Sequence, residues 1–251
     1  MLDRATFIRP IAHRGLHDVS RGVIENSGPA FEAAIAGGYG IECDLQPAAD
    51  GTAMVFHDRA LGRLVAAPGA TTDHSADDLA RLSYRGDAGA RILKLADLLG
   101  LVRGRVPMLI EVKSEWDAPD PRFMGCIAQD LRAYRGPFAV MSFDPAVVAA
   151  LKPLLQGVPR GIVSGLYDAS WGEGKLDGDR MFRLSHLIDS GPARPDFFAY
   201  HVKALPTPVT RFLREGLGLP LFAWTVRTRG DLATAALWAD APIFEDIDPN
   251  A

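Results

Sequence analysis

The chain has 251 residues, 48% hydrophobic, 23% charged and 8% aromatic, a composition that suits a globular domain and excludes a disordered, collagenous or disulfide-stapled chain. With 27 basic against 31 acidic residues the formal net charge is -4, which argues against a surface built for nucleic acid or anionic lipid, so any phosphate must be met by a local cluster of cations. No stretch reaches the ~18 apolar residues of a membrane span. The opening MLDRATFIRPIAHRG lacks the unbroken apolar run of a secretory signal, and Cys43 and Cys126 are read as buried thiols without a disulfide. These features predict a soluble, cytoplasmic protein with no stable membrane insertion.

In chain order, short apolar runs end in polar residues: FIRPIA before His13-Arg14-Gly15, GYGI before Glu42-Cys43-Asp44, AMVF before His57-Asp58, PMLI before Glu111-Val112-Lys113, FAVM before Ser142-Phe143, RGIV before Ser164-Gly165, FFAY before His201-Val202-Lys203, and LFAW before Thr225-Val226. Helically spaced stretches lie between them, among them PAFEAAIAGG, ADLLGLVRG, FMGCIAQDLRAY, PAVVAALKPLLQG, TPVTRFLREG and DLATAALWAD. Eight such strands alternating with helices predict an α/β fold with an all-parallel sheet, a (β/α)8 TIM barrel rather than a doubly wound sheet, because no glycine-rich phosphate loop follows the first strand. The chain is expected to form one domain over residues 1–251. Residues 59–90 are read as a small insertion after the third strand, carrying the helical piece SADDLARL, and APIFEDIDPNA as a terminal segment packing on the barrel.

Residues two apart on a strand share a face, so Glu42 and Asp44 project together, as do Glu111 and Lys113. Three converging carboxylates repel unless paired, and a hard divalent cation with oxygen ligands, Mg²⁺ or Ca²⁺, resolves that; Glu42, Asp44 and Glu111 are the candidate metal ligands. The competing reading is an ion-pair network with Arg14 or Lys113. His13 and His57, each at a strand end, are candidates for a general acid/base pair, since imidazole titrates near neutrality. Arg14 and Lys113 supply fixed cations for a phosphate. Metal, acid/base pair and anion clamps together describe phosphodiester cleavage better than redox, acyl-transfer or glycoside chemistry. Trp224 ends the last strand, where an aromatic forms either an apolar wall against substrate or simple barrel packing. The glycine-rich Gly165–Asp179 stretch with Tyr167 and Trp171 has the composition of a lid or of a disordered loop.

These residues, with Ile24-Glu25-Asn26-Ser27, Val55-Phe56-His57-Asp58 and Trp224-Thr225-Val226, resemble the glycerophosphodiester phosphodiesterase family in order and over nearly the whole chain. The resemblance implies a metal-dependent (β/α)8 barrel that hydrolyses glycerophosphodiesters, a small-molecule substrate class, to glycerol 3-phosphate and an alcohol. It implies His13 and His57 as the acid/base pair, Glu42, Asp44 and Glu111 around the divalent ion, Arg14 and Lys113 on the phosphate, and Asn26 close to that centre. An N-cap role accounts for Asn26 or Ser27 nearly as well. The chain departs from the family pattern at Ile24 (proline in the usual P-E-N), in the threonine-free RALGRLVAAPG after His57-Asp58, and at Ile243–Pro249, and none of these removes a proposed catalytic group. Alternatives are lysophospholipase D-type cleavage of a larger diester, a metal-dependent lyase or racemase, and a non-catalytic barrel binding a phosphorylated metabolite. The lyase reading fits less well, because enolase-type sites take their ligands from later strands.

Overall fold

The computed structural model describes residues 1–168 and 170–250. Two compact units make up the chain, one of Ala12–Lys113 with Pro119–Phe138, the other of Met1–Ile11, Ser114–Ala118 and Ala139–Ala251. The chain enters through α1 (Arg4–Phe7), whose first turn is capped by the Asp3 side chain, and β1 (Ile11–Ala12).

The first unit runs through α2 (Gly28–Ala36), β2 (Gly40–Pro47), β3 (Ala53–Val55), α3 (Ala76–Arg81), β4 (Ser83–Tyr84), β5 (Asp87–Arg91), β6 (Leu93–Lys94), α4 (Leu95–Val102), β7 (Met108–Val112) and α5 (Pro121–Ala133). Three of the helix starts carry a local side-chain cap: Ser27, Ser75 and Asp120 accept backbone N–H groups at the first turns of α2, α3 and α5, and α2 and α5 carry proline in that turn. Strand β2 buries Ile41, Cys43 and Leu45 on one face and projects Glu42, Asp44 and Gln46 from the other. It pairs in parallel with β7, with Asp44 opposite Glu111 and Glu42 opposite Leu109.

The AMVF run was expected as the third of eight parallel strands, and the structure corrects this. As β3 it lies antiparallel to β2, with Leu45 opposite Val55 and Pro47 opposite Ala53. The reason is connection length: only residues 48–52 separate the two strands, too few for a parallel crossover, which needs a dozen or more. Gly51, at φ +84°, turns the chain there, donating to the Ala48 carbonyl at 2.9 Å. Strand β6 pairs antiparallel with β3 in turn. The insertion therefore begins at the hairpin and ends at β6, wider than residues 59–90. It has its own core of Met54, Phe56, Leu61, Val65, Leu79, Tyr84 and Ile92, and SADDLARL supplies its helix α3.

The second unit holds β8 (Phe138–Ser142), α6 (Pro145–Leu154), β9 (Arg160–Ser164), α7 (Gly178–Ser185), β10 (Phe197–His201), α8 (Pro208–Arg211), β11 (Leu221–Val226), α9 (Arg229–Trp238) and β12 (Ala241–Phe244). Strands β8 to β12 pair successively and in parallel. Strand β12 is the second correction: APIF, expected as terminal packing, is a barrel strand with Phe222 opposite Ala241 and Val226 opposite Phe244. Four residues preceded by a helix are enough for a parallel strand, and Ile243 and Phe244 are both buried. The eight parallel strands are thus β1, β2, β7 and β8 to β12, and the fold class is a (β/α)8 barrel. The Gly165–Asp179 stretch contains a 3-10 turn at Trp171–Gly174 and the start of α7, and its Ala169 lies outside the described residues. Among the described residues no helix is long and apolar enough to cross a membrane.

Candidate active site

The turn after β1 is built by two successive left-handed residues, Arg14 at φ +55° and Gly15 at φ +78°. It aims the Arg14 backbone N–H at Glu42 Oε2, 2.9 Å away, while the Gly15 N–H points at the Ala12 and Glu42 carbonyls. A Cβ on Gly15 would lie 2.9 Å from the Ala30 carbonyl carbon. Gly15→Ala is therefore expected to destabilise the protein by more than about 1 kcal/mol, measurable by urea unfolding, because both φ and the contact with α2 forbid the methyl group.

Asn26, also left-handed at φ +54°, is fully buried and donates from Nδ2 to Asp44 Oδ2 at 2.8 Å, while its Oδ1 accepts the Asp44 N–H at 3.3 Å. Asparagine tolerates this conformation better than most residues. The structure thus separates the two roles that the sequence left open: Ser27 caps α2, and Asn26 orients a carboxylate.

Glu42, Asp44 and Glu111 present ligand atoms within 4.8 Å of one another, and the three residues are 1%, 1% and 6% exposed. Parity on β2 and the β2–β7 register account for this directly. Burial, then the charges of Asp44 and Glu111, push the Glu42 carboxyl well above its ordinary range. Burial works the same way on Asp44, but Lys113, His57, Arg14 and His13 outweigh it and hold that carboxyl far below. Lys113 Nζ lies 2.7 Å from Asp44 Oδ1 and 2.5 Å from Glu111 Oε1, and burial, which would lower its pKa, loses to these two charges. Arg14 Nε is 3.4 Å from Asp44 Oδ2. Carboxylates and cations are therefore interleaved, and the ion-pair network weighed from the sequence is present alongside the cluster. It leaves two atoms of the cluster buried without a hydrogen-bond partner, Arg14 Nε and Glu42 Oε1, and only the second is an oxygen that a cation can bind. An unpartnered buried carboxylate oxygen on a residue of such an oxygen-ligand cluster fits a hard divalent cation.

His13 Nε2 lies 3.9 Å from Glu42 Oε2. His57 is fixed differently: Gln46 donates to its carbonyl at 3.0 Å, and its Nδ1 meets Asp58 Oδ1 at 2.7 Å. Burial disfavours charge on Asp58, yet hydrogen bonds from His57 and Arg63 keep it well below the usual carboxylate range. Being ionised it can only accept, so in the neutral ring His57 Nδ1 carries the proton and Nε2 is the nitrogen with the lone pair. Glu25, Asp58 and Arg63 were not singled out as site residues by sequence. The available signals were the charged residue following His57 and the acid within the I-E-N-S segment.

Trp224 belongs to the other unit. Its indole donates to the Ser164 carbonyl at 3.0 Å and its ring packs edge-on to Phe143 at 5.1 Å and near His201 at 4.9 Å. Tyr167 and Trp171 join the same aromatic group, 4.9 Å apart, with Trp171 5.2 Å from Phe143. Burial, then Arg227, lowers the His201 pKa. Cys43 is fully buried on the opposite face of β2 from the acids; Cys126, expected buried, is only partly so, and both are free.

No curated protein matches the chain. Among solved structures it is similar to a candidate glycerophosphoryl diester phosphodiesterase of Silicibacter pomeroyi, 24% identical with a TM-score of 0.76, covering 95% of this chain and 90% of that one. A phosphodiesterase of Oleispira antarctica, solved with the product sn-glycerol-3-phosphate, is 19% identical with a TM-score of 0.74, covering 96% and 94%. The glycerophosphodiester phosphodiesterase of Thermotoga maritima is 22% identical with a TM-score of 0.69, covering 94% and 93%. The model of the glycerophosphoryl diester phosphodiesterase family matches residues 13–247, from the first candidate histidine to the segment after β12. The chain is therefore a member of that family, an enzyme of the phosphoric diester hydrolase class.

Proposed function

We propose that this enzyme cleaves small glycerophosphodiesters, the deacylated head groups of phospholipids, to glycerol 3-phosphate and an alcohol in a reaction that depends on Mg²⁺ or Ca²⁺. The observation that carries the reading is the buried Glu42, Asp44 and Glu111 cluster with an unanswered carboxylate oxygen, set beside Arg14, Lys113, His13 and His57. The product held by the Oleispira relative supports glycerol 3-phosphate as the common product. The family match runs across both units, which supports reading residues 1–251 as one functional domain with the insertion within it.

Glu42, Asp44 and Glu111 would hold the cation, which when bound supplies Lewis-acid polarisation of a phosphoryl oxygen. Asn26 keeps Asp44 in its ligating orientation. Arg14 and Lys113 offer N–H groups to the remaining phosphate oxygens, where charge grows as the bond to the leaving alcohol lengthens. Of the two histidines, one takes the proton of the attacking water or glycerol hydroxyl and the other returns a proton to the departing alkoxide; attack by the hydroxyl leaves a cyclic phosphate that water then opens to glycerol 3-phosphate, with the histidine roles reversed, and His57 exchanges its proton at Nε2 because Asp58 holds Nδ1.

The test is release of glycerol 3-phosphate from glycerophosphocholine, glycerophosphoethanolamine and glycerophosphoglycerol, run with Mg²⁺ or Ca²⁺ and in parallel with a lysophospholipid. Turnover of the small diesters is the expected result and ranks the leaving groups. Turnover of the lysophospholipid alone would replace the substrate class, and no turnover of any diester by folded, metal-loaded protein would overturn the reading.

A further inference from the structure

Arg63 stands at the end of a single 3-10 turn, Leu61–Arg63, in the insertion. Its guanidinium spans two carboxylates. It donates to Asp58 from Nε to Oδ2 at 2.5 Å and from Nη2 to Oδ1 at 3.0 Å, and to Glu25 from Nη1 to Oε2 at 2.9 Å and from Nη2 to Oε1 at 2.7 Å. Asp58 in turn holds His57, and Glu25 Oε1 accepts from Arg14 Nη1 at 2.8 Å. A continuous line of charge-assisted hydrogen bonds thus runs His57–Asp58–Arg63–Glu25–Arg14, from a proposed proton carrier to a proposed phosphate clamp.

We propose that Arg63 is a positioning residue for the diesterase reaction: by bridging Asp58 and Glu25 it holds the His57 imidazole and the Arg14 guanidinium in one fixed arrangement. This rests on the function proposed above. Three observations favour it over a role in stability alone. The Arg63 side chain is 46% exposed, so it contributes little to the core. Its donors are divided between two acids that each grip a different site residue, which only a planar fork can do. On the His57 side Arg63 gives the Asp58 carboxylate two hydrogen bonds, so without Arg63 that carboxylate, 22% exposed, has greater freedom to turn toward water and release Nδ1. The insertion, on this reading, is what completes the site that the barrel strands begin.

Two measurements on full-length protein test it. In steady-state kinetics with glycerophosphocholine, Arg63→Gln is expected to lower kcat by about 10- to 100-fold with KM changed by less than about threefold, the pattern of a group that orients without binding substrate. Arg63→Lys, which cannot fork across both acids, is expected to recover only part of the loss. Asp58→Asn is expected to match Arg63→Gln, and the double variant to lose less than about threefold more, because both act through His57. In ¹⁵N–¹H spectra of the neutral imidazole, His57 is expected to show the Nδ1-protonated tautomer in the parent, identified by its loss in His57→Gln, and a tautomer mixture in Arg63→Gln.

A raised KM with unchanged kcat would make Arg63 a substrate contact and overturn the proposal, as would fully additive losses with Asp58→Asn or an unchanged tautomer. If Arg63→Gln does not fold, the Lys variant carries the same readouts. If the parent cleaves no diester, the proposed function fails by itself, and the tautomer spectra still decide what Arg63 does.

Discussion

Stripping divalent metal with a chelator is expected to lower the rate of glycerol 3-phosphate release by roughly a thousandfold or more, with recovery on adding Mg²⁺ or Ca²⁺, since a Lewis acid on the phosphoryl group supplies several kcal/mol. Glu42→Gln is expected to reproduce the loss and not to be restored by either ion at ordinary concentrations. A binding readout separates ligation from chemistry. Metal at about 100 times its Kd stabilises a protein by about 2.7 kcal/mol, so the parent melts higher in its presence and Glu42→Gln does not. Without metal the sign reverses: burial and the charges of Asp44 and Glu111 oppose ionisation of Glu42, so the neutral amide is expected to leave the metal-free protein at least as stable. A metal-induced rise in melting temperature that survives Glu42→Gln would remove Glu42 from the ligand set. Full activity in chelator would remove the metal from the reaction.

His13→Ala and His57→Ala are each expected to lower kcat by about 10²- to 10⁴-fold while glycerol 3-phosphate binding changes little, because in the proposed mechanism the histidines move protons and the cations hold the phosphate. The double variant is expected to lose much less than the product of the two single losses. A diester with a p-nitrophenol leaving group assigns the roles. That group departs without a proton, so the variant lacking the general acid regains most of its rate on it and the variant lacking the base does not. Equal loss on both substrates for both variants would sink the acid/base division. Loss of product binding with unchanged kcat would make the histidines phosphate ligands.

Much of the site was legible because it is local. Glu42 and Asp44, and Glu111 and Lys113, are two residues apart on strands, and the period of two places each pair on one face whatever the rest of the chain does. The apolar runs before them mark β2 and β7, and a parallel register then sets Asp44 beside Glu111. Ser27, Asp144 and Thr228 announce the helices they cap for the same reason. The direction of β3 was also present in the chain, in the five-residue Ala48–Thr52 connection with its Asp-Gly turn, but an apolar run ending in a histidine looks the same in either direction.

What the sequence alone determined is therefore the alternation of strands and helices, the barrel class, and which acids, histidines and cations stand at strand ends. These follow from side-chain parity, apolar periodicity and capping, all of which act over a few residues. The tertiary structure decided that APIF is a barrel strand, that the insertion opens with an antiparallel hairpin, and that Glu25 and Arg63, 38 residues apart, meet between His57 and Arg14. Composition says nothing about such a pairing, because an arginine and a glutamate on separate loops are ordinary solvated residues until the folded chain brings them within hydrogen-bond reach.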